Sequence, residues 1–293
     1  MEMLQFLILP FAASLILTGI HAYLGVHVVE RGVIFVDLAL AQIAALGATI
    51  AILRGMDPHG SGAYWFSLGF TFLGAAIFAL VRSRQKKIPL EAIIGIAYAV
   101  ASAGAILAMS KATGETEHLK DMLVGNILAV SRQDVIKTAI LYGVIGLFHY
   151  IFRRKFLLIS VNEEAARARG INVRLWDFLF YASFGFVVTS SVAIAGVLLV
   201  FCYLIVPSVA AMLFADRIGT RLAIGWVMGT LVSALGCWLS VWIDLPTGAT
   251  IVCTFGAVLI LLALLKIGYF AIRRHAPNQR SAEIPREVRA RLG

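Results

Sequence analysis

Charged residues are scarce in this chain of 293 residues: Asp, Glu, Lys and Arg make up 14% of it, whereas 60% is apolar. Soluble domains carry about 25% charged and about 45–50% apolar residues. The composition therefore excludes a soluble enzyme. One membrane-spanning helix needs about 20 mostly apolar residues, and the chain has apolar sequence for about nine of them. We expect an all-α polytopic membrane protein with eight or nine transmembrane helices.

Cysteine and the common site motifs are also scarce or missing. Cys202, Cys237 and Cys253 lie in apolar segments without a CxxC pair, which favours small core residues over disulfides or metal ligands. The sequence has no HxH or HExxH motif, so a zinc-enzyme cage is not indicated, and we expect its histidines at the membrane interfaces. It also has no GxxxxGK[ST] loop, so any ATP that drives the protein must be hydrolysed by another polypeptide.

Apolar segments of spanning length are separated by polar or basic breaks. They lie at about 3–24, 33–53, 62–81, 89–109, 133–152, 174–193, 195–214, 222–243 and 248–271. We assign residues 1–273 to one membrane domain and 274–293 to a polar cytoplasmic tail. Residues 119–131 are too few to cross the bilayer, so we expect an interfacial or re-entrant helix there.

Lys and Arg are distributed unevenly over the breaks. Of the 25, 20 fall in the loops 25–32, 82–88, 153–174 and 216–221 and in the tail from 266. Because basic loops stay in the cytoplasm, these segments and the C-terminus are predicted to be cytoplasmic. Nine crossings then place the N-terminus outside. The net charge of +9 is interpreted as a topology signal and as contacts to membrane lipid, since RNA-binding aromatic motifs are missing and no nucleic acid is expected.

Polar residues inside apolar segments are costly, so they are candidates for function. Asp37 and Gln42 lie among small residues in the second segment and could line a hydrophilic path. Alternatively, Asp37 lies near the cytoplasmic interface, either solvated or paired with Arg31. Pro207 interrupts the seventh segment and predicts either a hinge or gate, or a simple packing kink.

The loop before the sixth segment contains EEAARARG at 163–170. Acidic residues at its start, arginines near its end and Gly170 as a stop predict a short helix. Such a helix between two spans could dock into a cleft on a soluble partner, or it could be a solvated connector.

This helix carries E-A-A-x-x-x-G at Glu164, Ala165, Ala166 and Gly170, which resembles the coupling motif of ABC-transporter permeases. Four longer stretches occur in the same order as in one subfamily: VGNILAVSRQD at 124–134, NEEAARARGINVRLWD at 162–177, GVLLVFCYLIVPSVAAML at 196–213 and DLPTGATIVCTFG at 244–256. Together they resemble the ABC-3 permeases, the membrane subunits of zinc, manganese and iron importers. The resemblance covers about 20–270.

The resemblance implies a homodimeric permease of the bacterial inner membrane that is not itself an enzyme. A cytoplasmic ATPase would hold the ATP, an extracytoplasmic protein would deliver the metal, and the divalent metal ion would be cargo that crosses by alternating access. No cofactor is expected on this chain. The coupling helix would span about 162–171, and the contacts to the ATPase would be made by Glu163, Glu164, Ala165, Ala166 and Gly170.

The second segment departs from the family pattern, which has an acidic residue four positions before a histidine. Here Gln42 stands at the histidine position, Leu38 stands at the acid position, and Asp37 is displaced by one. Imidazole suits zinc, whereas an amide oxygen is a harder ligand. An ion-coupled secondary transporter is the alternative function. It would call for several acidic residues within the spans and for internal repeats, and we find mainly Asp37. An intramembrane enzyme would need a convergent catalytic set, and none is visible.

Overall fold

The computed structural model describes residues 2–57, 60–84, 88–110 and 127–275. Within these ranges every regular element is helical, which confirms the all-α prediction. The helices are α1 (Glu2–Arg31), α2 (Val36–Leu53), α3 (Ser61–Arg84), α4 (Leu90–Met109), α5 (Arg132–Ile151), α6 (Arg153–Val161), α7 (Glu163–Ala168), α8 (Val173–Phe214), α9 (Ile218–Ile243) and α10 (Thr247–His275). A 3₁₀ turn at Ile127–Ala129 precedes α5.

Eight helices of the described ranges are long and apolar enough to cross a membrane. One of them, α8, has 42 residues. At about 1.5 Å per residue a straight helix of that length would measure about 63 Å, roughly twice the hydrocarbon thickness of about 30 Å. Helix α8 is therefore too long for a single crossing.

Helix α8 is a hairpin that reverses at Gly196. This residue has φ 75° and ψ 161°, a conformation that essentially only glycine adopts. Both ends of α8 lie close to the adjacent residues Glu30 and Arg31 at the end of α1. Arg31 bonds Asp177, and Arg221, which bonds Glu30, also donates to the carbonyl of Ala215.

A straight helix would separate residues 177 and 215 by about 57 Å. Arg31 reaches residue 177 directly, and Arg221 connects residue 215 to the adjacent Glu30. Two side chains cannot span that distance, so α8 turns back on itself. The two halves, α8a (173–195) and α8b (197–214), correspond to the crossings predicted over 174–193 and 195–214. With them the bundle has nine membrane-length segments within the described ranges.

Helix α1 packs against α5, α6, α8 and α9. The sequence predicts that this span ends near residue 24 and that a loop covers 25–32, but the helix continues to Arg31. The reason is burial: Val28 and His27 are almost completely enclosed, so the last two turns pack inside the bundle rather than lying at its surface. Elsewhere in the bundle, α2 packs between α3 and α4, and α3 packs on α8.

Pro207 lies within α8b, which continues through it to Phe214. The backbone break of α8 is at Gly196, eleven residues earlier. Pro207 is buried, and its carbonyl and Cβ lie beside Gly225 of α9. This placement favours the packing interpretation of Pro207, whereas a role as a gate stays a prediction.

Two predicted segments fall largely outside the described residues. Of the helix expected over 119–131, only 127–131 is described, where Ile127 of the 3₁₀ turn is buried in the core. Of the tail predicted over 274–293, residues 274 and 275 belong to α10, and 276–293 are outside the description.

Candidate functional site

A short helix protrudes at the end of the bundle where α1 terminates. This helix, α7, has six residues, and Oδ1 of Asn162 caps its start by accepting a hydrogen bond from the Ala165 amide at 2.9 Å. At its end the amide of Ile171 bonds the carbonyl of Ala166 at 3.1 Å, and the amide of Gly170 bonds the carbonyl of Arg167 at 2.9 Å. This pair of bonds is the Schellman motif, which needs a left-handed residue at position 170. Gly170 supplies it with φ 73°.

The two faces of α7 differ. Ala166 is completely buried in the hydrophobic core, Glu163 points back towards the bundle, and Ala165 is half-buried. The residues exposed to solvent are Glu164, Arg167, Ala168, Arg169 and Gly170. Of the five predicted coupling residues, Glu164 and Gly170 are therefore open to a partner, whereas Glu163 and Ala166 fix the helix to the membrane domain.

Glu163 ties α7 to α3 electrostatically. Its Oε1 accepts a hydrogen bond from Nη2 of Arg167 at 2.6 Å, and its Oε2 lies 3.4 Å from Nε of Arg82. Partial burial raises the pKa of the Glu163 carboxyl, but the hydrogen bond from Arg167 and the charges of both arginines outweigh it. The pKa therefore lies below its ordinary value. Glu163 is ionised at neutral pH, and the ion pair persists.

Behind Glu163 lies a buried ion cluster, formed by Arg31, Arg82, Glu163 and Asp177. Nε of Arg82 is 3.5 Å from Oδ2 of Asp177, and Nη1 of Arg31 donates to Oδ1 of Asp177 at 2.7 Å. The side chains of Arg31 and Asp177 are 0% exposed. The guanidinium carbon of Arg31 also lies 3.9 Å from the ring centroid of Phe180. Two cations and two anions leave the cluster neutral.

Sequence reasoning missed this cluster. It treated Arg31 and Arg82 as loop determinants of topology and did not single out Asp177. A signal was present: Asp177 stands in the first turns of an apolar segment, where an unpaired carboxylate is costly, so a cationic partner at a neighbouring helix end was required. The sequence does not show which of its many basic residues is that partner.

Asp37 is buried in the first turn of α2, at 2% exposure, and its Oδ1 has no hydrogen-bond partner. It is neither solvated nor paired with Arg31, so that alternative is wrong: Arg31 bonds Asp177 instead. Glu91 of α4 acts on Asp37 electrostatically, and Asp37 in turn acts on Cys202 of α8b.

Gln42 is half-buried on α2. A separation of five residues turns the helix by about 140° beyond one full turn, so Asp37 and Gln42 lie on different faces. The structure therefore does not bring the two predicted pathway residues together. Among the residues that the structure describes, no group of three or more His, Cys, Asp or Glu could hold a metal ion.

Three histidines expected at the membrane interfaces are instead inside the bundle: His21, His27 and His149 are each at most 1% exposed. Each has its own partner, because His27 bonds Ser160 at 2.8 Å, His149 bonds Ser183 at 2.8 Å, and His21 bonds the carbonyl of Leu17 at 2.7 Å. The interface prediction for His21 and His27 is wrong because it assumed that α1 ends at residue 24.

These features define a class of protein. The bundle is a multi-pass membrane protein that offers a short capped helix to solvent at one end and carries a buried ion cluster behind that helix.

The ABC 3 transport family matches residues 3–266. The chain belongs to that family, and it is a membrane permease subunit rather than an enzyme. This confirms the resemblance predicted from the E-A-A-x-x-x-G motif and the four longer stretches.

Relatives match over nearly the whole chain. The manganese transport system membrane protein MntB of Synechocystis sp. is 26% identical, over 97% of this chain and 90% of the relative. The chelated iron transport system membrane protein YfeC of Yersinia pestis is also 26% identical, over 85% of this chain and 86% of the relative. The solved structure of PsaBC from Streptococcus pneumoniae in complex with Fab has a similar fold, with a TM-score of 0.74 and 23% identity over 89% of this chain and 94% of that one.

Proposed function

We propose that this chain is the permease subunit of an ATP-driven importer of manganese or iron and that α7 is its contact with a separate ATPase. The family and the names of the relatives support transport of these metals. Zinc, the third metal that the resemblance implies, finds less support among the relatives. The observation that carries the proposal is α7 itself: a helix of six residues, capped at both ends, anchored by one face and exposed by the other.

We place the α7 end of the bundle in the cytoplasm. The loops rich in Lys and Arg are at this end, as the positive-inside rule requires. Lys266 of α10 bonds the carbonyl of Leu213, close to the end of α8b, so α10 ends on the same side. The C-terminal tail is then cytoplasmic and the N-terminus is outside. A metal-binding protein would deliver the cation to the opposite face.

In this mechanism the ATPase displaces α7, and the bundles of two permease copies alternate between outward and inward openings. The cation would cross as cargo rather than as a resident cofactor. Asp37 is the candidate contact, because a buried carboxylate oxygen without a hydrogen-bond partner can bind a hard divalent cation such as Mn²⁺. Gln42, on another face of α2, would act separately.

The ATPase contact is tested by measuring the affinity of the purified permease for its ATPase. We expect Glu164→Arg to weaken binding about tenfold, equivalent to about 1.4 kcal/mol, because Glu164 is exposed on α7 and carries its charge towards the partner. The matched control is Arg154→Gln, since Arg154 is an exposed charged residue on α6 of the same end. Equal affinities of the Glu164 variant and the wild type would refute the docking role of α7.

The cargo is tested with proteoliposomes loaded with ATPase and ATP. Uptake of Mn²⁺ or Fe²⁺ should require both the ATPase and ATP. Asp37→Asn should lower uptake about tenfold, whereas Gln42→Ala should lower it less because Gln42 does not share the buried face. Accumulation against a gradient by the permease alone would instead identify an ion-coupled secondary transporter.

A further inference from the structure

We infer that Arg31, Arg82 and Asp177 are positioning residues that transmit the displacement of α7 to α1, α3 and α8a. This inference rests on the proposed function, since it assumes that an ATPase moves α7. It concerns a step that the ATPase contact alone does not explain: how a helix of six residues at the surface of the bundle moves helices that cross the membrane.

The contacts of the buried ion cluster join a different pair of helices at each step. Glu163 links α7 to Arg82 of α3 at 3.4 Å, and Arg82 links α3 to Asp177 of α8a at 3.5 Å. Asp177 links α8a to Arg31 of α1 at 2.7 Å. Arg31 then donates through Nε to Oγ of Ser160 on α6 at 2.8 Å, and α6 leads directly into α7. The links form a closed ring around the base of the coupling helix.

The ring extends towards the middle of the membrane. The hydroxyl of Ser160 also bonds Nδ1 of His27, whose ring lies 4.8 Å from that of Tyr23. The hydroxyl of Tyr23 is 3.3 Å from Nδ1 of His149 on α5, and Nε2 of His149 is 2.8 Å from the Ser183 hydroxyl on α8a. Polar contacts therefore continue from α7 for two further turns along α1 and α8a.

Stability alone does not account for such a cluster. Replacing a buried ion pair by well-packed apolar side chains is often neutral or stabilising, because desolvation of the charges offsets their attraction. Removing one partner, in contrast, leaves a buried charge without compensation and is strongly destabilising. The cluster therefore resists separation of the helix ends that carry its charges. If α7 moves alone, Glu163 keeps its bond to Arg167, but Arg31 and Arg82 are left to share the single carboxylate of Asp177, so the buried cluster gains a net positive charge.

A neighbouring ion pair provides a matched control. Glu30, adjacent to Arg31 on α1, bonds Arg221 at the start of α9. This pair is also partly buried, with 24% and 13% exposure of its side chains, and it joins two membrane helices at the same end of the bundle. Its two residues are not part of the ring around α7. A general loss of packing at this end would affect both pairs, whereas a loss of transmission would affect only the buried ion cluster.

The test replaces Arg31→Met and Asp177→Leu together, which removes one charge of each sign and leaves Arg82 paired with Glu163. The full complex with its ATPase is reconstituted, and ATP hydrolysis and Mn²⁺ uptake are measured in the same vesicles. We expect hydrolysis within twofold of the wild type and uptake lowered at least tenfold, so that more ATP is consumed per ion. The control, Glu30→Gln with Arg221→Met, should keep the wild-type ratio of ions to ATP.

A conservative variant covers the case in which the double variant fails to fold. Arg31→Lys keeps the charge, but a single ammonium group cannot reproduce the guanidinium geometry that reaches Asp177 and Ser160 together. We expect it to lower the ratio of ions to ATP at least threefold. A wild-type ratio in either folded variant would overturn the inference.

Hydrogen exchange separates failure of the inference from failure of the proposed function. Addition of ATP to the complex should change amide exchange over 173–182 of α8a in the wild type and not in the double variant, whatever the cargo. If the wild-type complex shows this change but takes up neither Mn²⁺ nor Fe²⁺, the proposed cargo is wrong and transmission stands. If the change persists undiminished in the double variant, transmission through the cluster is refuted even when uptake is normal.

Discussion

The reversal of α8 depends on a backbone conformation that only glycine adopts readily, and this gives a quantitative prediction. At φ 75° and ψ 161°, a side chain at position 196 encounters backbone strain of about 1–3 kcal/mol. The substitution Gly196→Ala adds the smallest side chain, so little beyond this strain is changed. We expect the free energy of unfolding in mixed detergent micelles to fall by about 1–3 kcal/mol. Unfolding would be followed by the fluorescence of the chain's five tryptophans.

Gly143→Ala is the control for this experiment. Gly143 lies in the middle of α5, and a Cβ placed there meets no atom within 4 Å. Alanine is the better helix former by about 1 kcal/mol, so this variant should be as stable as the wild type or more stable. If Gly196→Ala is also neutral, the backbone at position 196 is not strained, and the assignment of the reversal to this residue would have to be abandoned.

Three further predictions concern polar contacts. Asn162→Ala removes the side-chain cap of α7, so we expect a loss of about 1 kcal/mol and roughly fivefold faster amide exchange at Ala165. Tyr142→Phe removes a buried hydroxyl that donates to the carbonyl of Val187 at 3.2 Å, and thermal denaturation should show a loss of about 1–2 kcal/mol. The lowered pKa of Glu163 means that its ion pair stabilises the fold above the ordinary carboxyl pKa of about 4.3 and weakens as pH falls through the lower folded value. The melting-temperature difference between wild type and Glu163→Gln should therefore be constant from pH 8 to pH 6 and shrink below about pH 4.

Each of these predictions has an outcome that contradicts it. Asn172 caps α8 in the same way, so Asn172→Ala should leave exchange at Ala165 unchanged; equal acceleration by both variants would mean that the cap of α7 is not local. An unchanged melting temperature for Tyr142→Phe would mean that the hydroxyl contributes no net hydrogen bond. A difference for Glu163→Gln that grows on acidification would reverse the sign assigned to the pKa shift.

The membrane class, the positions of the spans and the short helix before α8 could be predicted because each depends on local sequence. Apolar length alone identifies a span, and the capping of α7 is encoded by Asn162 at one end and Gly170 at the other. The sequence predicted a boundary between two apolar segments near Gly196, but not the reversal itself. Nothing in a continuous apolar stretch of this length marks where a turn without a loop occurs.

The contacts of the buried charges could not be predicted, because they join residues far apart in the chain. Arg31 and Asp177 are separated by 146 positions and His27 and Ser160 by 133. The sequence shows that Arg31 follows an apolar segment, and a location at the interface is then the simplest interpretation. Burial depends on the packing of α6 and α8 around the end of α1, which no local pattern records. For the same reason the sequence suggested water or Arg31 as the partner of Asp37 at the interface, whereas the fold gives it neither.

The burial of the last turns of α1 has a consequence for how the protein is made. This helix is translated before α6 and α8, yet His27 and Arg31 find their partners on Ser160 and Asp177, which are translated more than a hundred residues later. Until then these two side chains, near the end of α1, lack the partners that they have in the folded bundle. We therefore expect chains that are truncated before α8, and so leave Arg31 without Asp177, to be degraded by membrane quality control.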